Sequence, residues 1–268
     1  MMKIKKPFVV ISLLLLTTLC YAHEFWLEPL RFILKENEKV TVNLMVGEDY
    51  SGEHSNGLKY KITKLDHYAG TTKTDIRKTV YGDSLSQFEI AFAKAGNHLI
   101  AFNNTSKFIE LESAMFNEYL RTEGLDNVAG LRLQKGDTLK AGRELYQRCV
   151  KTLVQVGGKN DQTFAINTGM MLEIIPAGNP YLAKENTPVT FQILFRQKPV
   201  KNSLVLAWHV QNGKATHTKL RSNASGEVTF PVSRNGKWMI STVHMTPHTN
   251  STEAEWQSYW GSYTFGFY

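Results

Sequence analysis

The chain has 268 residues, of which 42% are hydrophobic and 11% aromatic, so it can bury a sizeable core and is not a disordered chain. Its net charge is +7, but three of the positive charges belong to Lys3, Lys5 and Lys6, and the +4 left without them is too small to indicate a nucleic-acid partner. Its two cysteines, Cys20 and Cys149, exclude a framework of disulfide bonds.

The chain begins with the pattern of a secretory signal peptide. The three lysines precede an apolar run, and small and polar residues follow it as far as Ala22. We therefore predict a signal peptide over residues 1–22 and a mature chain that begins at His23. No later apolar run reaches the roughly 20 residues that cross a bilayer, so we expect an exported protein without a membrane span. Acylation of Cys20 in a lipoprotein is the alternative, which the bulky Leu19 disfavours.

Cleavage after Ala22 would give His23 a chemistry that no internal histidine has. Its free α-amine and its ring Nδ1 can bind one metal ion together, and imidazole suits copper, nickel and zinc. The alternative interpretation is that His23 begins the mature chain by chance and is solvated.

The segment from His23 to about Glu112 has the pattern of short strands separated by turns. Val40, Val42 and Leu44 alternate on one face of the first clear strand, and a loop is expected after it at residues 47–53. Other strands are predicted at residues 59–62, 86–93 and 98–102. Strands at this spacing are typical of a β-sandwich.

The period then changes to that of helices. Ser113 is the expected N-cap of a helix that Gly124 ends. A second helix is predicted over residues 139–154 because apolar residues recur there every four positions. These residues are Leu145, Cys149 and Leu153. On this helix Cys149 would be a packed thiol, and Glu144 and Arg148 would pair. The same segment carries a polar cluster, which is either a solvated face of the predicted helix or a functional site. Its members are Arg143, Glu144, Tyr146, Arg148 and Lys151.

Strand patterns return after the helices and continue to the end of the chain. Residues 176–180, rich in proline and glycine, are the best linker candidate. The sequence thus predicts a mainly-β fold with two immunoglobulin-like β-sandwich domains. The first would cover residues 23–176, with a helical insertion at about 113–157, and the second, smaller one would cover residues 177–268.

Metal ligands are the strongest functional candidates, because no nucleophile elbow, phosphate loop or calcium loop is present. Among eight histidines, His244 is the best partner for His23, since it ends a predicted strand beside a loop. Glu28 and Glu53 are candidate oxygen ligands. His209 and His217 flank Gly213 in a predicted hairpin, a weaker candidate pair.

Aromatic residues cluster near the carboxy terminus, where they could form a sugar-stacking platform or, as we favour, part of the core. The members of this cluster are Trp256, Tyr259, Trp260, Tyr263, Phe265, Phe267 and Tyr268.

Several motifs together resemble one bacterial family of exported proteins. They are His23-Glu24-Phe25-Trp26-Leu27-Glu28-Pro29, Gly52-Glu53, Phe108-Ile109-Glu110-Leu111-Glu112, the segment 116–125, Arg143-Glu144-x-Tyr146-x-Arg148-x-x-Lys151, Trp238-x-Ile240 with Val243-His244-Met245, and Glu255-Trp256-Gln257-Ser258-Tyr259-Trp260. That family carries the label of a domain of unknown function and is described as the periplasmic component of cobalt or nickel uptake systems (NikM-like).

The resemblance implies a periplasmic β-sandwich protein that handles divalent metal and has a metal-uptake transporter or outer-membrane receptor as its partner. Nickel-uptake relatives bind metal through a histidine at the second or third position, with backbone amides completing a square-planar chelate. His23 would be at the first position, so that chelate cannot be transferred to this chain. We therefore expect a non-enzymatic accessory protein that binds nickel, cobalt or copper through His23 and His244, with Glu28 or Glu53 as support. The alternatives are a copper monooxygenase braced by the terminal histidine and a non-catalytic carbohydrate-binding or adhesion module.

Overall fold

The computed structural model describes residues 24–249 and 251–268, and the fold is mainly β, as the sequence predicts. Its strands are β1 (Glu24–Pro29), β2 (Ile33–Leu34), β3 (Glu38–Glu48), β4 (Ser51–His54), β5 (Gly57–Leu58), β6 (Ile62–Ala69), β7 (Thr72–Asp75), β8 (Ser84–Leu85), β9 (Gln87–Phe92), β10 (Gly96–Asn104), β11 (Lys107–Leu111), β12 (Gly142–Val156), β13 (Leu172–Pro176), β14 (Thr187–Phe195), β15 (Lys198–Pro199), β16 (Leu204–Gln211), β17 (Lys214–Arg221), β18 (Glu227–Val232), β19 (Lys237–Pro247) and β20 (Trp256–Gly266). The helices are α1 (Ser113–Thr122) and α2 (Asp126–Gln134).

Three sheets account for most of these strands. The central sheet has the order β17-β16-β19-β20-β12-β10-β6-β7, and β2 and β11 also pair with β12. The amino-terminal sheet is built on β3, which pairs with β1, β4 and β9. The carboxy-terminal sheet is built on β14, which pairs with β13, β15 and β18. Most pairs are antiparallel, but β12 runs parallel to both β20 and β2.

The middle of the central sheet, around β12 and β20, is buried on both faces, whereas the edge strands β7 and β17 are largely exposed. On one face Val150 and Val154 of β12 pack against residues of the amino-terminal sheet such as Leu44. On the other face Cys149 and Leu153 pack against the carboxy-terminal sheet. The β-sandwich layers predicted for the two halves of the sequence therefore share the central sheet, which takes strands from both sides of residue 176.

The helix predicted over residues 139–154 is wrong, because this segment is the 15-residue strand β12. A spacing of four residues returns to the same face of a strand as well as of a helix, so the apolar pattern did not discriminate between them. Glu144 and Arg148 therefore stand far apart along a strand instead of one helical turn apart. The helical insertion is correspondingly shorter than residues 113–157 and consists of α1 and α2.

Helix α1 is confirmed, with the difference that Ser113 is its first residue and Glu112 is the N-cap. The helix buries Phe116, Tyr119 and Leu120 against β11, β19 and β20. Helix α2 lies between Gly124 and residue 139, where the sequence pattern predicts no helix. Within the described ranges, no helix is long and apolar enough to cross a membrane.

Two further sequence interpretations are confirmed by burial. Cys149 is 2% exposed and packed in the core, and this burial raises the pKa of its thiol to about 12. The carboxy-terminal aromatics of β20 are core residues, since all of them are less than 8% exposed, whereas Tyr268 at the end of the cluster is 44% exposed.

Candidate functional site

The residue before β1, His23, lies outside the described residues, as does the predicted signal peptide. Strand β1 begins at Glu24, so the predicted mature terminus is one residue from a position that the structure describes. Side chains around Glu24 are therefore the ones that could bind a metal ion together with His23.

Of the predicted partners, His244 lies on the other face of the central sheet from Glu24. Its neighbours Val243 and Met245 pack towards α1, whereas the His244 ring faces Phe195 of β14, with 4.2 Å between the ring centroids. Burial and the nearby Arg196 guanidinium lower the pKa of His244 to about 4. His244 is thus a neutral, packed ring.

The two predicted carboxylate ligands are also separate from one another. Glu28 accepts hydrogen bonds from Lys237 Nζ at 2.6 Å and from Trp26 Nε1 at 2.7 Å, so both its oxygens already have partners. Glu53 lies on the exposed strand β4, opposite Val46 of β3. The described residues therefore do not bring His244, Glu28 and Glu53 to one point.

A cavity of about 490 Å³ opens instead beside Glu24, between α1, the β3–β4 turn and strands β16 and β17. We call it the acidic pocket. Its charged and polar lining residues are Glu24, Glu48, Asp49, Glu118, Thr122, Glu123, Tyr119, His217 and Lys219. Five carboxyl groups against one ammonium make this pocket acidic, and a bound cation would favour the ionised forms of the two buried ones, Glu24 and Glu123.

Glu24 is the most constrained carboxylate of the acidic pocket. Its Oε1 accepts hydrogen bonds from Trp208 Nε1 and Ser241 Oγ, both at 2.8 Å, which tie β1 to the central sheet. Its Oε2 is buried and has no hydrogen-bond partner of normal geometry within the described part of the chain. Burial raises the pKa of Glu24 to about 7, although hydrogen bonds from Ser241, Trp208 and the Tyr50 backbone oppose the rise.

Glu123 approaches the same space from the end of α1. Burial raises the pKa of its carboxyl to about 8, the negative charge of Glu24 adds to the rise, and the Lys219 ammonium opposes it. The effect of Glu24 on the pKa of Glu123 indicates that the two carboxyls are near one another.

The turn between β3 and β4 places Asp49 at the edge of the acidic pocket. Asp49 and Tyr50 both have a φ of 53°, the left-handed conformation that a tight two-residue hairpin requires. Tyr50 is 3% exposed, and its ring packs edge-on against Trp26 at 5.3 Å. The loop predicted at residues 47–53 is therefore an ordered hairpin anchored by Tyr50.

His217 completes the acidic pocket from β17. A turn at Asn212 and Gly213 pairs Gln211 with Lys214, and this register sets His217 opposite Trp208. The two rings are 4.3 Å apart between centroids, and the His217 side chain is exposed towards the pocket.

His209 and His217, the weaker candidate pair of the predicted hairpin, do not face each other. The His209 ring stacks on Trp238 at 4.2 Å, whereas the His217 ring packs on Trp208. Because His217 is paired with Trp208 rather than with His209, the two histidines differ by one position in register and point to opposite faces.

The wall of the acidic pocket offers carboxylate oxygens and one imidazole, which are ligand types that divalent transition-metal ions bind. The described residues alone contain no group of three or more His, Cys, Asp or Glu close enough to hold a metal ion.

Solved structures give only distant likenesses. A DUF4785 family protein from Legionella pneumophila is 7% identical with a TM-score of 0.24, and the match covers 80% of this chain and 51% of that one. Escherichia coli alpha-2-macroglobulin activated by porcine elastase is 10% identical with a TM-score of 0.24, over 91% of this chain and 20% of that one. A DUF3823 family protein from Bacteroides uniformis is 8% identical with a TM-score of 0.23, over 92% and 100%.

The chain thus spans about half the length of the Legionella protein, and likenesses this weak carry no functional argument. Among curated proteins, no sequence matches the chain. A family match is extensive, however, because the family described as "Domain of unknown function (DUF4198)" matches residues 20–246. This match runs from the end of the predicted signal peptide into β19, and the chain therefore belongs to the DUF4198 family.

Proposed function

We propose that this protein is exported to the periplasm and binds a divalent transition-metal ion at its processed amino terminus, as an accessory to metal uptake or handling. His23 would bind nickel, cobalt or copper through its α-amine and ring Nδ1, which only a terminal histidine can do together. The partner would be a metal-uptake transporter or an outer-membrane receptor. The resemblance of the terminal motif to NikM-like proteins supports this assignment.

The observation that carries the proposal is the acidic pocket at the start of β1. Successive Cα atoms are about 3.8 Å apart, so His23 is within one residue of the pocket wall at Glu24. Carboxyl groups outnumber the ammonium in the wall of this pocket, and a bound cation would stabilise the ionised forms of Glu24 and Glu123.

The second imidazole in this proposal is His217, in place of the His244 that the sequence favoured. His217 lines the acidic pocket and is exposed, whereas His244 is packed on the opposite face of the central sheet. Glu123 and Glu24 replace Glu28 and Glu53 as supporting oxygens, because Glu28 is occupied by Lys237 and Trp26.

The test is calorimetric titration of the exported protein with Cu²⁺, Ni²⁺, Co²⁺ and Zn²⁺, after mass spectrometry has identified its first residue. We expect at least one of these ions to bind, and a variant with one alanine inserted before His23 to bind it at least about tenfold more weakly. The insertion separates the amine from the ring but leaves every described residue unchanged.

Two histidine variants provide a matched comparison. His217→Gln should weaken binding of the same ion, and His244→Gln should leave it unchanged. Equal affinities for the processed protein and the alanine-insertion variant would refute the terminal site. If His244→Gln alone weakened binding, the sequence-based pairing would be right and the acidic pocket irrelevant.

A further inference from the structure

A second cavity, of about 410 Å³, lies beside the acidic pocket and shares Leu111 and Tyr119 with it. We call it the basic pocket. It opens between β1, β11, β12 and the segment around β5. The lining residues used below are Phe25, Lys61, Phe102, Lys107, Arg148 and Trp260, together with Glu144.

The basic pocket concentrates positive charge. Lys61, Lys107 and Arg148 all line it, and Glu144 is the single carboxyl in its wall. Burial lowers the pKa of the Lys107 ammonium, and the charged groups that lower it further are Arg148 and Lys61, both cations. No described carboxylate forms an ion pair with Lys61 or Lys107. Cations held together in this way are stabilised when an anion binds among them.

The remaining wall of the basic pocket is aromatic. Phe25 stacks on Phe102 with 5.1 Å between centroids, and Tyr119 lies parallel to Trp260 at 5.7 Å. The Arg148 guanidinium lies 4.6 Å from the centre of the Phe25 ring. Apolar walls with a few convergent charges are the usual features of small-molecule sites.

At neutral pH Glu144 neutralises only part of this positive charge. Its Oε1 accepts hydrogen bonds from Ser258 Oγ and, at 3.3 Å, from Tyr119 Oη. Burial raises the pKa of this carboxyl to about 7, so the neutral form is substantially populated. The basic pocket thus keeps an excess of positive charge.

We propose that the basic pocket binds a small organic carboxylate with a flat apolar body. The carboxylate would face Lys61 and Lys107, and the apolar body would lie along Phe25, Phe102 and Trp260. This inference is independent of the metal proposal, since it involves neither His23 nor any carboxylate of the acidic pocket.

The probe for this inference is 2-naphthoate, with 2-naphthamide as its neutral counterpart of similar shape. We expect calorimetry to give a dissociation constant of roughly 10–100 µM for 2-naphthoate and binding at least about tenfold weaker for 2-naphthamide. Inorganic phosphate should bind more weakly than 2-naphthoate, because it has no apolar body to bury in the pocket.

Lys107→Gln should weaken 2-naphthoate binding at least about tenfold, whereas Lys198→Gln, at an exposed position on β15, should not change it. Lys61→Gln is a second variant in case Lys107→Gln does not fold, as checked by circular dichroism. The proposal is overturned if 2-naphthoate fails to bind at about 5 mM, or if the amide or phosphate binds equally well. It is also overturned if both lysine variants fold and bind as the parent does. Binding should persist in EDTA and with alanine before His23, so failure here would be distinct from failure of the metal site.

Discussion

A buried ion pair joins the central sheet to the carboxy-terminal sheet, and breaking it should destabilise the protein strongly. The Lys151 ammonium of β12 pairs with Glu173 Oε2 of β13, and the two side chains are 2% and 0% exposed. Glu173 Oε1 also accepts hydrogen bonds from Thr168 Oγ1 at 2.6 Å and from the backbone N–H groups of Thr168 and Met170.

The expected loss of unfolding free energy follows from the unpaired charge that each substitution leaves in the core. Lys151→Met leaves a buried carboxylate without its counterion, and Glu173→Gln leaves a buried ammonium whose other described hydrogen bond, to Ile166 O, is long at 3.4 Å. Each should cost about 3–5 kcal/mol of unfolding free energy. The double variant removes both charges, and its glutamine oxygen can still accept from Thr168 and Met170. We therefore expect the double variant to cost about 3 kcal/mol less than the two single costs together.

Urea unfolding followed by tryptophan fluorescence at 25 °C measures these free energies. Arg77→Met is the matched control, because the Arg77–Asp75 pair is about half exposed and screened by water, so its loss should cost far less than either core substitution. Additive effects of the two core substitutions, or single effects no larger than that of Arg77→Met, would refute the reasoning.

Two other predictions concern a strained turn and a pair of histidines. Tyr50→Ala and Tyr50→Gly both remove a buried ring, but φ is 53° there, so the glycine variant should be the more stable by about 1 kcal/mol in the same urea assay. Equal stability, or a more stable alanine variant, would mean that the turn carries no strain. His67 Nε2 lies 2.8 Å from His98 Nδ1, and His98 Nε2 donates to Lys94 O, so His98 is a neutral ring whose Nδ1 accepts from His67 Nε2. Burial, reinforced by His98, lowers the pKa of His67 to about 4. The unfolded state therefore binds more protons between pH 6.5 and 4, and stability should fall as the pH is lowered through that window. His67→Gln should remove up to about 2 kcal/mol of this fall, as measured by urea unfolding at pH 7 and pH 4.5, and an unchanged pH dependence would contradict the assignment.

The acidic pocket could be predicted only in part. The Asn212-Gly213 dipeptide predicts a two-residue hairpin. The register of that hairpin pairs His217 with Trp208, and it therefore places His217 and His209 on opposite faces. Nothing in the local pattern indicated that Glu123, at the end of α1, would lie near Glu24, about one hundred residues earlier. Contacts of that kind depend on how distant elements pack.

The sequence by itself determined the mainly-β character and most strand positions, because a strand with one face in the core alternates with a period of two. It also determined α1, whose apolar residues recur with the helical period. Only the tertiary structure decided β12, since a strand buried on both faces loses that alternation, and only it decided that His244 faces Phe195 while Glu24 lines the acidic pocket. A side chain's face follows from local periodicity, but its neighbours across the sheets depend on the packing of the whole chain.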